Sequence, residues 1–215
     1  MVIVTQAKTM SDNQIEMFYE YASHGGILVW TGDAGTSSYP EDKKLTDYNM
    51  KDAGPWTRIN KNGDIIPFGE LLSAEYLGNF CGYVNCASLG GDFVGYLKQD
   101  PDSTIAGGIA PNTPMYGDFA LTTPINNSST VVEVNIDYGS NMISKDPKDK
   151  KGLGSFFPLM IRSQLGKNVI YIAAPIEYLT QSTDVAYTSG NTKTNIPTTI
   201  RKMFQEYFGI LGINK

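Results

Sequence analysis

The chain has 215 residues, a net charge of −5, 11% aromatic residues and 18% charged residues. This length suffices for one domain with a hydrophobic core of its own, and the aromatic content excludes a disordered chain. The negative charge and the absence of a lysine and arginine cluster argue against nucleic-acid binding. No run of about 18 apolar residues exists, so we expect no membrane span.

The first 30 residues predict a strand, a helix and a second strand. The β-branched run Val2-Ile3-Val4 is typical of a buried strand. Ser11 and Gln14 have the spacing of a capping box that begins a helix, and Gly25 suits the position just after its end. Residues 27–30 form a short, continuously apolar run, which is typical of a parallel strand buried on both faces.

The next 120 residues predict a long excursion. Residues 36–69 are rich in Asp, Lys, Asn, Pro and Gly, and residues 70–77 predict a short helix. From residue 79 to residue 138 the pattern is β-rich, with strands predicted at 93–97, 119–121 and 131–136.

The end of the chain predicts a return to the main sheet. Residues 156–164 begin this return, residues 168–174 are the strongest buried strand of the sequence, and Pro197 begins a final helix. We therefore expect a single α/β domain over residues 1–215. Its sheet would be open, largely parallel and flanked by helices, with residues 36–155 as a β-rich and loop insertion.

The turn Thr31-Gly32-Asp33-Ala34-Gly35 is the main candidate binding site. It follows a predicted parallel strand, and ligands of open α/β sheets collect at the carboxyl ends of strands. Its backbone N–H groups could hold an anion or an oxyanion, and the Asp33 side chain would project from its tip. The alternative is conformational, because aspartates in glycine turns often hydrogen-bond their own turn.

Three segments of the sequence resemble the class I glutamine amidotransferase-like superfamily. They are residues 21–35 (YASHGGILVWTGDAG), residues 165–178 (LGKNVIYIAAPIEY) and residues 70–78 (ELLSAEYLG). In that family a helix, a Gly-Gly pair and an apolar strand lead into a nucleophile elbow, and a Gly-Lys turn precedes a late strand. The resemblance implies a flavodoxin-like α/β fold in which Thr31-Gly32-Asp33-Ala34-Gly35 is the elbow.

The chain departs from this family at its catalytic residues. The family has a cysteine at the elbow, where this sequence has Asp33 or Gly32, and its histidine after the late strand is missing from Ala174-Pro175-Ile176-Glu177. Acyl transfer by a Cys–His pair requires both groups, so the resemblance implies a pseudoenzyme. The single histidine, His24, is expected to lie at a helix C-terminus with a structural role.

The family's usual first strand and helix also have no counterpart ahead of Val2. Loss of that unit would leave an apolar sheet edge, so we expect either a homo-oligomer or pairing with a missing N-terminal segment.

Other residues allow further interpretations of the site. Asp33 and Glu177 could converge as a catalytic carboxylate pair, joined by Asp42, Asp47 or Asp92, although an acidic rim is more often solvated surface. Loop aromatics could bind a sugar or peptide, or could pack loops onto the sheet. These aromatics are Tyr39, Tyr48, Trp56, Tyr83, Tyr96 and Tyr116.

The two cysteines, Cys81 and Cys86, could form a disulfide or remain as buried thiols. They lack the further ligands of a zinc site, and we expect neither a metal ion nor a cofactor. The weakly charged, polar composition slightly favours an extracytoplasmic domain.

The sequence therefore predicts a non-catalytic domain that binds a ligand or a protein, such as the soluble part of a larger surface or membrane-associated protein. The ligand would be a small molecule or a sugar, bound at Thr31, Gly32, Asp33, Ala34, Gly35 and Glu177. Two alternatives are a glycoside or amide hydrolase that uses Asp33 and Glu177, and a structural oligomerisation domain.

Overall fold

The main structural unit of the protein is a mixed seven-stranded sheet. The computed structural model describes residues 1–5, 7–40, 42, 54–83, 95–103, 114–115, 119–125, 130–139, 154–163, 168–174, 186–189 and 192–195. The strand order is β1-β2-β11-β10-β9-β6-β7. These strands are β1 (Val2–Val4), β2 (Leu28–Thr31), β6 (Gly95–Gln99), β7 (Pro114–Met115), β9 (Thr130–Asp137), β10 (Phe156–Ser163) and β11 (Val169–Ile172).

One side of the sheet is parallel, as the sequence predicts. β2 lies between β1 and β11 and pairs with both in parallel, with all four of its residues buried. The helix α1 (Asp12–Ser23) connects β1 to β2. Its capping box between Ser11 and Gln14 is confirmed, and Gly25 has a φ of 91° just after its end. The strand–helix–strand prediction for this region is therefore confirmed.

The other side of the sheet corrects the predicted fold class. β10 pairs antiparallel with β11 and with β9, and β6 pairs antiparallel with β9 and with β7. The expectation of a largely parallel, helix-flanked α/β sheet is therefore wrong. Burial on both faces gives β10 the apolar run that is typical of parallel strands, although β10 is antiparallel. Residues 164–168 are too few for the crossover of a dozen or more residues that a parallel β10–β11 pair needs.

Helices are also fewer than the predicted fold class implies. Besides α1, the described residues contain only α2 (Phe68–Leu72) and α3 (Phe80–Tyr83), which have five and four residues. Neither is long enough to cover a face of the main sheet. The other described elements of the excursion outside the main sheet are short β-structures. They are β3 (Thr57–Ile59), β4 (Ile65–Pro67), β5 (Ala74–Asn79) and β8 (Ala120–Pro124). Of these, β8 contacts β10.

The predicted helix over residues 70–77 is correct only as far as Leu72 and wrong beyond it. α2 ends at Leu72, Ser73 takes a left-handed φ of 56°, and the chain then continues as β5. β5 pairs antiparallel with β8, while β3 and β4 form a separate hairpin. Long-range pairing with β8 decides the conformation of residues 74–79, and local apolar spacing does not report it. The predicted strands near residues 93, 119 and 131 are present as β6, β8 and β9 with shifted bounds.

Aromatic side chains pack the excursion onto the parallel strands. Trp30 of β2 is fully buried between Phe18 of α1 and Phe68 of α2, at ring-centroid distances of 5.4 and 4.6 Å. Trp56 contacts Tyr171 of β11 in the same way at 5.2 Å. Two further strands, β12 (Ala186–Ser189) and β13 (Thr192–Asn195), form a hairpin.

Three predicted features need separate mention. The final helix predicted from Pro197 lies outside the described residues. Cys81 is disulfide-bonded, and its partner also lies outside them. None of the helices in the described ranges has the length and hydropathy needed to cross a membrane.

Candidate functional site

The turn Thr31–Gly35 lies at the carboxyl edge of the parallel strands. It directly follows β2, and β1 and β11 end beside it because both run parallel to β2. Gly32 and Gly35 have φ values of 58° and 67°, a region that side-chain-bearing residues rarely adopt. We call Thr31–Gly35 the elbow. The sequence places this feature correctly at a strand end.

Most of the elbow's N–H groups are already used inside the protein. The N–H of Gly32 donates to the carbonyl of Ile172 at 2.8 Å, and the N–H of Gly35 donates to Ala7 at 2.9 Å. Ala34 donates to the carbonyl of Thr31 at 3.3 Å. These three donors are therefore not available to hold an anion. The Thr31 hydroxyl donates to the carbonyl of Val4, so Asp33 is the elbow residue whose polar side chain can meet a ligand.

Three aromatic side chains fix the elbow from below. The indole N–H groups of Trp30 and Trp56 both donate to the carbonyl of Ala34, at 2.9 and 2.8 Å. The hydroxyl of Tyr171 donates to the carbonyl of Gly32 at 3.0 Å. Burial raises the pKa of Tyr171 well above its usual value, with smaller contributions from neighbours that include Asp33, so this hydroxyl stays a donor.

The Asp33 carboxylate is held on one oxygen. Its Oδ2 lies 2.9 Å from the ammonium of Lys8 and accepts a hydrogen bond of 3.3 Å from the side-chain amide of Asn79. The Asn79 side chain is oriented in turn by the hydroxyl of Tyr76, which donates to its Oδ1 at 2.7 Å. In the part of the chain that the structure describes, Oδ1 of Asp33 has no hydrogen-bond partner. The Asp33 side chain is 19% exposed, so solvent or a ligand can reach it.

A buried arginine anchors the elbow to the excursion. Arg58 of β3 donates to the carbonyls of Gly35 and Ser37 at 2.6 and 3.0 Å, and pairs with the Asp12 carboxylate at 3.3 Å. Burial lowers the pKa of Arg58, and the neighbouring carboxylate of Asp12 opposes that effect. The hairpin β3–β4 is thereby attached to α1 and to the end of the elbow.

The other predicted site residues do not gather around Asp33. Glu177, Asp47 and Asp92 lie outside the described residues. Asp42 accepts a hydrogen bond from the N–H of Tyr39 at 2.9 Å. His24 ends α1 as predicted, with Nδ1 2.7 Å from the carbonyl of Glu20. Since His24 precedes β2 and Asp33 follows it, the strand separates the two side chains.

Sequence reasoning missed Lys8, Asn79, Tyr76 and Arg58. Lys8 carries a usable signal, because it follows β1 and the carboxyl ends of parallel strands meet at one edge of the sheet. The other three come from the excursion and depend on long-range contacts. Trp56, one of the aromatics considered for a sugar surface, is only 1% exposed and packs the excursion instead.

The described residues contain no group of three or more His, Cys, Asp or Glu that could hold a metal ion. The geometry of the elbow suits a different task, which is to present one fixed carboxylate oxygen next to one ammonium.

Comparisons with known proteins give only remote similarities. Neither a protein-family model nor a curated protein matches the sequence. The structure is similar to a β-galactosidase from Rahnella sp. R3 at 9% identity and a TM-score of 0.48, over 98% of this chain and 22% of that one. It is also similar to a β-galactosidase from Bacillus circulans, at 11% identity and a TM-score of 0.47, over 96% of this chain and 22% of that one. A third similar structure is a ThuA-like protein from Bacteroides uniformis, at 12% identity and a TM-score of 0.44, over 90% of this chain and 62% of that one.

These similarities are too weak to carry an argument about fold or function. The chain also spans about a fifth of the two β-galactosidase chains.

Proposed function

We propose that the chain is a non-catalytic domain, similar in sequence to the amidotransferase-like superfamily, that binds a neutral polar ligand, such as a sugar, at Asp33. The observation that supports this proposal is that the two oxygens of the Asp33 carboxylate differ in their contacts. Its Oδ2 is held by Lys8 and Asn79, and its Oδ1 has no hydrogen-bond partner among the described residues. A fixed acceptor of this kind loses little freedom when it binds a ligand, which favours affinity.

The charges at the elbow support a neutral ligand. Asp33 supplies an acceptor and Lys8, whose side chain is 54% exposed, supplies donors beside it. The two charges largely offset each other, so the site has no net attraction for an anion or a cation. Hydroxyl groups both donate and accept hydrogen bonds, so two neighbouring hydroxyls of a sugar match this donor–acceptor pair.

The surroundings of Asp33 argue against catalysis. Nucleophilic catalysis needs a nucleophile within reach of a base, and the only histidine lies at the other end of β2. The described side chains that contact the Asp33 carboxylate are Lys8 and Asn79, and neither is a carboxylic acid. The hydrolase alternative therefore depends on Glu177, Asp47 and Asp92, which lie outside the described residues.

One observation favours the alternative proposal, that the chain is a structural oligomerisation domain. Within the described residues β1 is an edge strand of the seven-stranded sheet, and its Ile3 side chain is 45% exposed. Exposed apolar edge strands invite pairing with another chain. Light scattering tests this alternative, which predicts a dimer or larger species whose mass does not change on dilution.

The binding proposal is tested by a thermal-shift and calorimetry screen of methyl glycosides, polyols and short peptide amides. At a ligand concentration one hundred times Kd we expect a stabilisation of about 2.7 kcal/mol. That corresponds to a Tm increase of roughly 5–10 °C for a domain of this size. Asp33→Ala removes the shift, and Glu20→Gln, which changes an exposed carboxylate on α1, keeps it.

Two results would decide against the proposal. The first is a panel in which no compound shifts the wild-type Tm or shifts it equally in Asp33→Ala. The second is turnover of a glycoside or amide that Asp33→Asn abolishes, which would establish the hydrolase instead. The hydroxyl and the backbone N–H of Thr36 both donate to the backbone carbonyl of Asp33 and not to its side chain. Substitution of the Asp33 side chain therefore leaves these two hydrogen bonds in place.

A further inference from the structure

A second concave site lies on the excursion, apart from the elbow. A cleft of about 290 Å³ opens between the β3–β4 hairpin, α2 and β5. Its walls are mainly apolar and include Trp56, Ile65, Pro67, Tyr76 and Ile125. We call it the hairpin cleft. Its volume is near the lower end of the range for small-molecule sites, so it suits a small group.

The hairpin cleft also carries two uncompensated negative charges. Glu70 of α2 and Glu75 of β5 line it, and both are exposed. Neither carboxylate has a hydrogen bond or an ion pair within the described ranges of the chain. The carboxylates of Asp12, Asp33 and Glu133 differ in this respect, because each has a cationic partner.

The aromatic wall of the cleft is rigid. The Trp56 indole is fixed by its hydrogen bond to Ala34 and by its edge contact with Tyr171. The Tyr76 ring lies 5.6 Å from the Trp56 ring at an interplanar angle of 56°. Its hydroxyl is engaged with Asn79, so the ring keeps one orientation. The cleft is therefore formed before any ligand binds.

We propose that the hairpin cleft binds an organic cation with a short apolar body, namely a guanidinium or ammonium group on an aliphatic chain. The apolar walls take the aliphatic part, and Glu70 and Glu75 take the charge. Guanidinium is the better match, since it forms charge-assisted bonds with carboxylates and can stack on the half-buried ring of Tyr76, the Trp56 ring being almost fully buried. The same chemistry occurs on a free alkylguanidine and on an arginine side chain of a polypeptide.

Other ligand classes fit the cleft less well. An anion would meet two carboxylates and no cationic group among the lining residues. A bare metal ion would gain nothing from walls of Trp56, Ile65 and Pro67, because hard cations take oxygen ligands and water. A neutral apolar ligand would leave both carboxylates beside it without a partner.

The experiment uses n-butylguanidinium and N-acetylarginine methylamide as probes, with N-acetylcitrulline methylamide as the neutral match. Binding is followed by calorimetry and by NMR at low ionic strength. We expect both cations to bind and the citrulline compound to bind at least about ten-fold more weakly, as loss of a charge-assisted bond requires. Equal affinity of the two cations indicates a free guanidine as ligand, and tighter binding of the arginine amide indicates a polypeptide.

Two variants test the two parts of the cleft separately. Glu70→Gln with Glu75→Gln removes the charges and should weaken binding about ten-fold or more. Gly54→Leu puts a side chain at the cleft, where an added Cβ would meet only Glu75 Cγ at 3.8 Å, and should block both probes. Asp102→Asn, an exposed carboxylate in the turn after β6, is the matched control and should leave affinity unchanged.

The proposal is overturned if the citrulline compound binds as well as the arginine compound. It is equally overturned if the double glutamine variant, at unchanged Tm, binds both cations like the wild type. Lys8→Met, which changes the elbow but leaves the contact between Tyr76 and Asn79 in place, should not affect these probes, so the result is independent of the ligand proposed for the elbow.

Discussion

Replacement of Arg58 by methionine should be among the most destabilising single changes in the described part of the protein. Arg58 is 5% exposed and bonds Asp12 together with the carbonyls of Gly35, Ser37 and Pro55. Breaking a buried ion pair costs about 3–5 kcal/mol. A buried carbonyl left without its donor adds about 1–3 kcal/mol. The terms share one side chain and are not additive, so we expect a total loss of about 4–6 kcal/mol.

The assay is equilibrium unfolding in urea together with thermal unfolding. A loss of this size lowers the Tm by roughly 10–20 °C for a domain of about 200 residues. Arg58→Lys should fall between the wild type and Arg58→Met, because an ammonium can keep the contact with Asp12 but cannot reproduce the guanidinium fork.

The matched control removes a cation from an exposed ion pair. Lys98→Met breaks the ion pair between Lys98, whose side chain is 46% exposed, and Asp137, whose side chain is 22% exposed. This change should lower the free energy of unfolding by less than about 1 kcal/mol. The reasoning is refuted if Arg58→Met costs no more than Lys98→Met. It is also refuted if Arg58→Met is as destabilising with Asp12→Asn as without it, because the two residues would then not be coupled.

Two further predictions concern the elbow and the exposed ion pair. Gly35→Ala should lower the free energy of unfolding by about 2 kcal/mol or more, because Gly35 has a φ of 67° and the new Cβ would lie 2.8 Å from Ile15 and Trp30. A measured loss under about 0.5 kcal/mol would contradict this prediction. The hydrogen bond from Lys98 lowers the pKa of Asp137 below its usual value. The ionised carboxylate therefore stabilises the folded protein above the usual pKa of an aspartate, and this stabilisation is lost as the pH falls through the lowered pKa. Asp137→Asn should remove this small acid-dependent part, less than about 1 kcal/mol, and an unchanged pH profile would contradict it.

The parts of the fold that the sequence predicts are those with local signals. The capping box at Ser11 and Gln14, the positive φ at Gly25 and the buried strand β2 each follow from a few adjacent residues. The direction of β10 does not, because its apolar run is typical of a parallel strand, whereas β10 pairs antiparallel with β9 and β11. The conformation of residues 74–79 likewise depends on β8, which lies about 45 residues further along the chain.

The candidate site divides in the same way. The position of Asp33 at a strand end follows from the glycine turn after β2. Its partner Asn79 is 46 residues away and reaches the elbow as the last residue of β5. The sequence predicts a helix over residues 70–77 and only a β-rich stretch from residue 79, so it does not report the pairing of β5 with β8 that brings Asn79 to Asp33.

We propose that Asp33, held through its Oδ2 by Lys8 and Asn79, presents its Oδ1 as an acceptor to a ligand. This proposal is tested most directly by a ¹H–¹⁵N NMR titration with methyl hexopyranosides that follows the side-chain amide of Asn79 and the backbone amide of Asp33. We predict saturable shifts of both signals in the wild type and none in Asp33→Ala. Shifts that persist in Asp33→Ala, or spectra that do not change at any glycoside concentration, would contradict the account.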